Sequence, residues 1–471
     1  MVSNESNGFD QADVQGWVLR GYHRERVRHV VLRVKNRERA RQWIGATVSG
    51  DERAAPQIQT AVPWDEKPPT MFNIAFTADG LEALGIDTEA AGFPEAFREG
   101  MAARHIKIGD VGDSAPDRWI DAYRPPDKGG RSSVHVVATI HADHEHEAEL
   151  RAVNARIPSD AFDELHSHDG VALPKDRVHF GYRDGISQPR FEEVPQKECS
   201  PDRQPFAPLG VALLGYATPF ETLRWRVPTD VGHNGSFNAF RILRQLTSEF
   251  DQYLEDAAEQ LKAHPAVGAL FPDGWEGSWP DGTTTDEALP QIVAAKLLGR
   301  WQNGNSLETD PIGPGDEFRP PRERSDFDYD DDYEGERCPI GSHVRRNNPR
   351  GATIVQRYAN HTRRIIRRGM PYGPPDGSGE SGLLGNFIGA SLSAQFEALQ
   401  NDWMNVGLLD PRVTGTNDPI LGANDEMYSR FTFPVGDDIV TLRGFPRFVI
   451  TRGGAYTFIP GIAALRKIGE M

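Results

Sequence analysis

Along this chain, hydrophobic positions switch repeatedly between the period of a strand and that of a helix. The stretches "VRHVVLRVK" (27–35), "MFNIAFT" (71–77) and "VHVVATIHA" (134–142) are short, rich in β-branched residues and predict strands. "VQGWVLRG" (14–21) has the same look. "NRERARQWIGAT" (36–47) and "EHEAELRAVNARI" (145–157) carry helical spacing. Thr77 stands where an N-cap is needed, and Gly85 where the short helix after it would end. Past Pro189 a second set begins. "GVALLGYAT" (210–218) is strand-like, and "GSFNAFRILRQLTSEFDQYLEDAAEQL" (235–261) starts extended and becomes a long amphipathic helix. Residues 285–300 predict a further helix after Pro290. "GLLGNFIGASL" followed by "SAQFEALQNDWMN" repeats the strand-then-helix order, and "FPRFVITRGGAYTFIP" (445–460) predicts a hairpin turning at Gly453-Gly454.

Strands and helices are thus mixed in both halves, with no sustained βαβ repetition and no fixed-period repeat. That pattern predicts an α+β protein of two sheet-and-helix modules. The expected division is 12–175 and 176–471, after a polar, unperiodic and disordered start at 1–11. Segment 302–336, rich in Pro, Gly and acids, predicts a long surface loop inserted in the second module. A chain of 471 residues is ample for two cores.

Charge narrows the partners. Lys+Arg total 52 against 69 Asp+Glu, a net charge of −17, which argues against a general binder of nucleic acid or anionic membrane. No run of about 18 apolar residues is present, so no membrane span is expected. The first residues lack the basic and apolar parts of a secretory signal, and Cys199 and Cys338 are the only cysteines. A cytoplasmic protein without a disulfide framework is the expectation, and a homo-oligomer is compatible with it.

Candidate chemistry concentrates in two places. In "HFGYRDGISQPR" (179–190), Asp184 lies on a turn between Gly181 and Gly185, residues that tolerate unusual torsions or close approach to something flat. Further on, "DFDYDDDYEGE" (326–336) holds seven carboxylates and is followed by arginines 345, 346, 350, 357, 363, 364, 367 and 368. No Asp, Glu or Lys interrupts 338–369. Segregation this sharp admits two readings: the arginines pair with acids elsewhere, or they grip an anion in the forked geometry that suits Arg better than Lys. A cofactor carrying carboxylates fits the second reading better than nucleic acid does. His343 sits inside the block. An axial imidazole, arginines for propionates and a separate acid/base aspartate are what a haem peroxidase site needs. Five further histidines, at 141, 144, 146, 166 and 168, lack H-E-x-x-H spacing and make a weak zinc candidate.

"HFGYRDGISQPR" resembles the G-x-x-D-G signature of the dye-decolorizing peroxidase family. "CPIGSHVRRNNPR" is similar to that family's proximal-histidine segment, and "RRIIRRGMPYG" to its distal-arginine motif. Further likeness in "FNIAFTADGLEALGI", "AAKLLGRWQNGNSL" and "ASLSAQFEALQNDW" extends it over roughly 14–468, in the manner of the longer subgroup. The resemblance implies two ferredoxin-like modules with haem b in the second. It implies His343 as the axial iron ligand, Asp184 as the distal acid/base and Arg367 as the distal cation, with Arg364 and Arg368 as substitutes. Arg345, Arg346 and Arg350 are candidates for propionates or the pocket wall. Leu384 and Phe387 are expected to line the pocket, and Asp418 to accept a hydrogen bond from His343. "GLLGNF" departs from the family, which often has an aromatic directly after "GLL".

The implied reaction is reduction of hydrogen peroxide, followed by one-electron oxidation of a phenolic or dye-like reductant. Competing demands on Asp184, from burial and from Arg367, predict better activity in mild acid than at alkaline pH. Electron transfer to bulky reductants would use surface aromatics, for which Tyr358 and Trp301 are candidates. A haem-binding or haem-handling protein without turnover is the alternative.

Overall fold

Four strands of the first module and the strands of the second follow the same winding. In the first, β1 (Arg26–Val34), β2 (Thr70–Phe76), β3 (Val136–Ala142) and β4 (Phe162–Val171) pair in the order β4-β1-β3-β2, antiparallel throughout. The second contains β5 (Ser236–Gln245), β6 (Ile366–Arg367), β7 (Met370–Tyr372), β8 (Gly382–Gly389), β9 (Arg430–Val435), β10 (Asp438–Arg443) and β11 (Val449–Ile459). Its order is β11-β5-β8-β6, with β7 also on β8, while β9 and β10 form a separate hairpin. Each module therefore has the outer-first-third-second arrangement of a ferredoxin-like sheet, confirming the predicted α+β class. The computed structural model describes residues 9–125, 133–194, 205–220, 223–315, 318–320, 323–351, 361–376 and 378–471.

The two sheets join where Phe458 of β11 pairs with Phe76 of β2, giving nine strands in one sheet. Its far edges approach as well: a Cβ on Gly170 of β4 would fall 2.7 Å from the Met370 side chain on β7. The sheet thus curls toward a barrel. One core, including Val30, Ile74, Ala138, Phe237, Phe240, Leu384 and Phe458, runs through both modules. β5 is buried along nearly its whole length, and its buried polar residues are partnered: Asn238 donates to the Asn386 side chain at 2.9 Å and Arg241 pairs with Asp110.

Helix signals worked where capping chemistry was explicit. Thr77 accepts from the Gly80 N–H at the start of the helix Ala78–Ala83, and Gly85 beyond it has φ +87°. The helix Thr285–Leu298 starts five residues before Pro290, not after it, because Thr284 and Glu287 form a reciprocal capping box. Residues 392–405 wind as π-helix, Leu392–Glu397 and Leu399–Asn405.

Three strand predictions change, two of them because buried apolar runs need not be extended. "VQGWVLRG" forms a turn of helix, Gly16–Leu19, with Trp17, Val18 and Leu19 buried. "GVALLGYAT" forms a 3-10 turn, Leu209–Val211, followed by further turns. The predicted hairpin at 445–460 is instead one strand, β11. Its glycines make room for packing: Cβ atoms there would meet the Tyr123 ring at 2.6 Å and the Met101 sulfur at 2.5 Å. Segment 302–336 also departs from a surface loop. It has no regular element among its described residues, yet Leu307, Phe327 and Tyr329 are buried with Trp301. Of the expected disordered start, 1–8 lie outside the described residues, and a 3-10 turn begins at Gln11.

Candidate active site

The loop after β4 carries Asp184 on a backbone that only glycine accommodates easily. Gly181 has φ +84° and Gly185 φ +73°, torsions costly for other residues. The Asp184 N–H donates to the Asp176 carbonyl at 2.9 Å. Arg367, on β6, donates from Nη1 to the Asp184 carboxylate at 3.0 Å and from Nη2 to the Ser187 carbonyl at 3.3 Å. Gln188 clamps the strand below it, accepting from the Arg367 N–H at 3.0 Å and donating to its carbonyl at 2.9 Å. Asp184 lies deep enough for burial to act on its charge, while 39 % of its side-chain surface stays accessible. Burial raises its pKa, but the Arg367 charge and the Gly185 N–H outweigh that and hold the carboxyl below its ordinary value.

His343 opens the short helix His343–Asn347. Its Nδ1 lies 2.9 Å from Asp418 Oδ2, while Asp418 Oδ1 accepts the Ile420 and Leu421 N–H groups, each at 2.9 Å. Asn347, one turn on, donates to the His343 carbonyl at 2.8 Å and to Asp418 at 3.3 Å. Asp418 has no accessible side-chain surface. Burial pushes its carboxyl up, and the His343 charge and hydrogen bond more than offset this, leaving it ionised. An imidazole held this way donates from Nδ1 and keeps Nε2 for a ligand. Nε2 has no hydrogen-bond partner among the described residues. His343 is also near enough for its charge to act on Asp184, so both reach the same region.

A family profile described as "DyP dimeric alpha+beta barrel domain" matches residues 13–174. Over 99 % of this chain and 89 % of its relative, the sequence is 26 % identical to dye-decolorizing peroxidase msp1 of Mycetinis scorodonius. A dye-decolorizing peroxidase of Exidia glandulosa is 26 % identical over 96 % of this chain and 86 % of its own. Among solved structures, a dye-decolorizing peroxidase in complex with 2,6-dimethoxyphenol superposes with a TM-score of 0.77 at 25 % identity, covering 98 % of this chain and all of that one. Residues 13–174 thus match the DyP barrel domain, and nearly the whole chain is similar to dye-decolorizing peroxidases.

Set against the family's motifs, the four expected central residues come together as two hydrogen-bonded pairs, Asp184 with Arg367 and His343 with Asp418. The substitutes for Arg367 point elsewhere. Arg368 donates to the Trp17 and Val18 carbonyls, and Arg364 to the His361 and Pro205 carbonyls. Arg345 and Arg346 are corrections. Both are 1 % exposed and bound to protein groups. Arg345 pairs with Asp332 at 2.7 Å, and Arg346 donates to the Trp403 and Thr416 carbonyls. At 100° per residue, Arg345 stands about 200° around the helix from His343, whereas Asn347 returns to its face. Arg350 donates to the Ser325 and Phe327 carbonyls, at 2.6 and 2.9 Å.

Leu384 is a further correction: it is fully buried in the main core. Strand parity explains this, because residues three apart on β8 face opposite ways. Phe387 pairs directly with Arg367 and shares its face, together with Gly385 and Leu383. Leu383 was missed, although its spacing from Phe387 contained the signal. Trp301 is buried, its Nε1 donating to the Asp310 carbonyl at 2.7 Å, and Tyr358 lies outside the described residues. No group of three or more His, Cys, Asp or Glu that could hold a metal exists among the described residues, so the histidine-rich stretches build no zinc site.

The residues fit a haem on two observations. One is the oriented imidazole with its Nε2 uncommitted. The other is a concentration of cations: Arg300, missed in the sequence, is 5 % exposed, and burial, aided by the nearby charges of Arg350 and Arg367, lowers its pKa to about 10. Arg300 makes no ion pair among the described residues. Carboxylates of a bound group would complete such a cluster.

Proposed function

We propose that this protein is a haem b peroxidase that reduces hydrogen peroxide and oxidises phenolic or dye-like compounds in one-electron steps. The observation that carries this is the Asp184–Arg367 pair, 3.0 Å apart, bordering the region that the Asp418-bound His343 also reaches. Its similarity to relatives named dye-decolorizing peroxidases supports this, and one similar solved structure is a complex with a phenol.

His343 Nε2 would hold the iron, and Arg300 would face the propionates. Bound there, haem supplies the capacity to take two oxidising equivalents from peroxide and return them singly to organic donors. The protein's own part is proton handling and charge. Ionised Asp184 receives the proton from one peroxide oxygen and returns it to the other, turning that oxygen into a water leaving group. Arg367 fixes the carboxylate and stabilises charge that develops as the O–O bond opens. Asp418 holds the His343 Nδ1 proton and so fixes the tautomer and orientation of the ring. Phe387 and Leu383 provide apolar walls beside Arg367 that keep bulk water from competing.

The ultraviolet–visible spectrum of the purified protein, before and after one equivalent of hydrogen peroxide, tests the proposal. A histidine-ligated ferric Soret band that converts on peroxide addition is expected. A Soret band unmoved by peroxide would turn the reading to haem handling. No band after reconstitution with haem would remove the cofactor altogether.

A further inference from the structure

Away from Asp184, Arg367 and His343, a cavity of about 410 Å³ opens between the helix Thr285–Leu298 and the β9–β10 hairpin. Leu270, Ile292, Leu307 and Val435 give it apolar walls, and Trp301 contributes to one side. That volume falls in the range of small-molecule sites.

One polar group in the lining is out of keeping with the rest. Lys296 lies on a helix otherwise apolar on nearly every side and is 5 % exposed. Its Nζ donates to the Glu336 and Arg337 carbonyls, both at 2.8 Å, which leaves a third N–H. No carboxylate among the described residues forms an ion pair with it. Glu336 and Asp437 also line the cavity, but both are exposed to solvent. Burial lowers the ammonium to about 8, so it stays largely charged at neutral pH. Asp332, Glu308 and Glu336 act on its charge from a distance, but a buried cation without a directly bound counter-ion is still costly, and an anion entering the cavity relieves that cost.

We propose that this cavity is a second binding site, separate from the peroxide site, for an aromatic carboxylate. Lys296 serves as the counter-ion and the apolar walls with Trp301 receive the ring. A single remaining N–H and the apolar lining suit a carboxylate on a flat hydrophobic body better than a phosphate, which needs several donors. The site is not isolated from the distal loop. Gln302, next to Trp301, donates to the Phe180 carbonyl at 3.2 Å, and its own carbonyl accepts from the Arg183 N–H at 3.1 Å.

Calorimetric titration of the haem-loaded protein at neutral pH with 4-hydroxybenzoate, and with its neutral analogue 4-hydroxybenzamide, decides the matter without peroxide. The carboxylate should bind at one site per chain and leave the Soret band in place, and the amide should bind about tenfold more weakly or worse. Lys296→Met should abolish that preference, and Ile292→Trp, which fills the cavity and retains the lysine, should remove binding of both. Absence of carboxylate binding, equal affinity for the two ligands, or a preference that survives Lys296→Met would overturn the proposal. So would a Soret shift on binding, which would put the ligand at the haem. Because the readout is binding, failure here leaves the peroxidase reading untouched.

Discussion

Asp184 shows how one residue's surroundings set its chemistry. Burial alone would raise the carboxyl's pKa, but Arg367, the Gly185 N–H and His343 together bring it below its ordinary value. A base whose pKa is depressed is ionised above that pKa and lost only as pH falls through it. The acid limb of the pH–rate profile is therefore expected below about pH 3.9, the ordinary value for Asp. Arg367→Leu removes the main opposing charge and leaves the burial, so its limb should move upward; an unmoved limb would show that another group limits the reaction. Asp184→Asn should keep the Soret band and lower kcat/KM for peroxide roughly 10²- to 10⁴-fold, measured by stopped-flow. These residues were legible in the sequence because each sits in a short motif with glycine, histidine or clustered arginine. Gln188, Asn347 and Arg300 were not, since each acts through backbone groups or through neighbours that only the fold supplies.

At the scale of elements, the period rules explain both what was read and what was not. Strands β1, β2, β3, β5 and β8 were apparent because burial on one or both faces wrote β-branched or apolar runs into them. β4 escaped because its sequence "FDELHSHDGV" is polar, with histidines pointing into the structure: His168 is 8 % exposed and hydrogen-bonded to Tyr123 at 3.0 Å. The glycine pair in β11 suggested a turn where packing against Tyr123 and Met101 was the actual constraint. The arginine block divides by element too. Arg346, on the His343 helix, ties down the Thr416 backbone near Asp418, so the helix and the loop are positioned together. Asp418→Asn keeps most of that geometry and removes the negative charge behind His343. The ring then donates less electron density, and the iron midpoint potential should rise, as read by spectroelectrochemistry. An unchanged potential would reduce Asp418 to a packing role.

Over the whole molecule, the backbone ladder between the modules is slight, with Phe458 and Phe76 as its register pair, so side chains must do the joining. The shared core does part of it. Buried charge does the rest, between residues 104–110 and the second module. Arg241 of β5 pairs with Asp110 at 2.6 Å, both side chains 3 % exposed. Glu397, with no accessible side-chain surface, accepts from Arg104 and from the Tyr456 hydroxyl at 3.0 Å, and lies 3.1 Å from Lys107. Removing Glu397 leaves the buried Tyr456 hydroxyl without its acceptor, while Arg104 keeps Glu99 and Lys107 stays half-exposed, at a typical cost of about 1–3 kcal/mol. Glu397→Ala should therefore lower the unfolding free energy obtained from urea titration by that amount while the transition stays single, because core and charges couple both modules. Two separated transitions in the wild-type protein would contradict this. The effect should also depend on pH in a defined direction. Burial raises the Glu397 carboxyl, and Arg104 and Lys107 more than compensate, so its folded pKa lies below the ordinary value. Its stabilisation is then fully present above about pH 4.3, the unfolded value, and fades as pH falls through the folded one. The gap between wild type and Glu397→Ala should be constant near neutrality and close in strong acid.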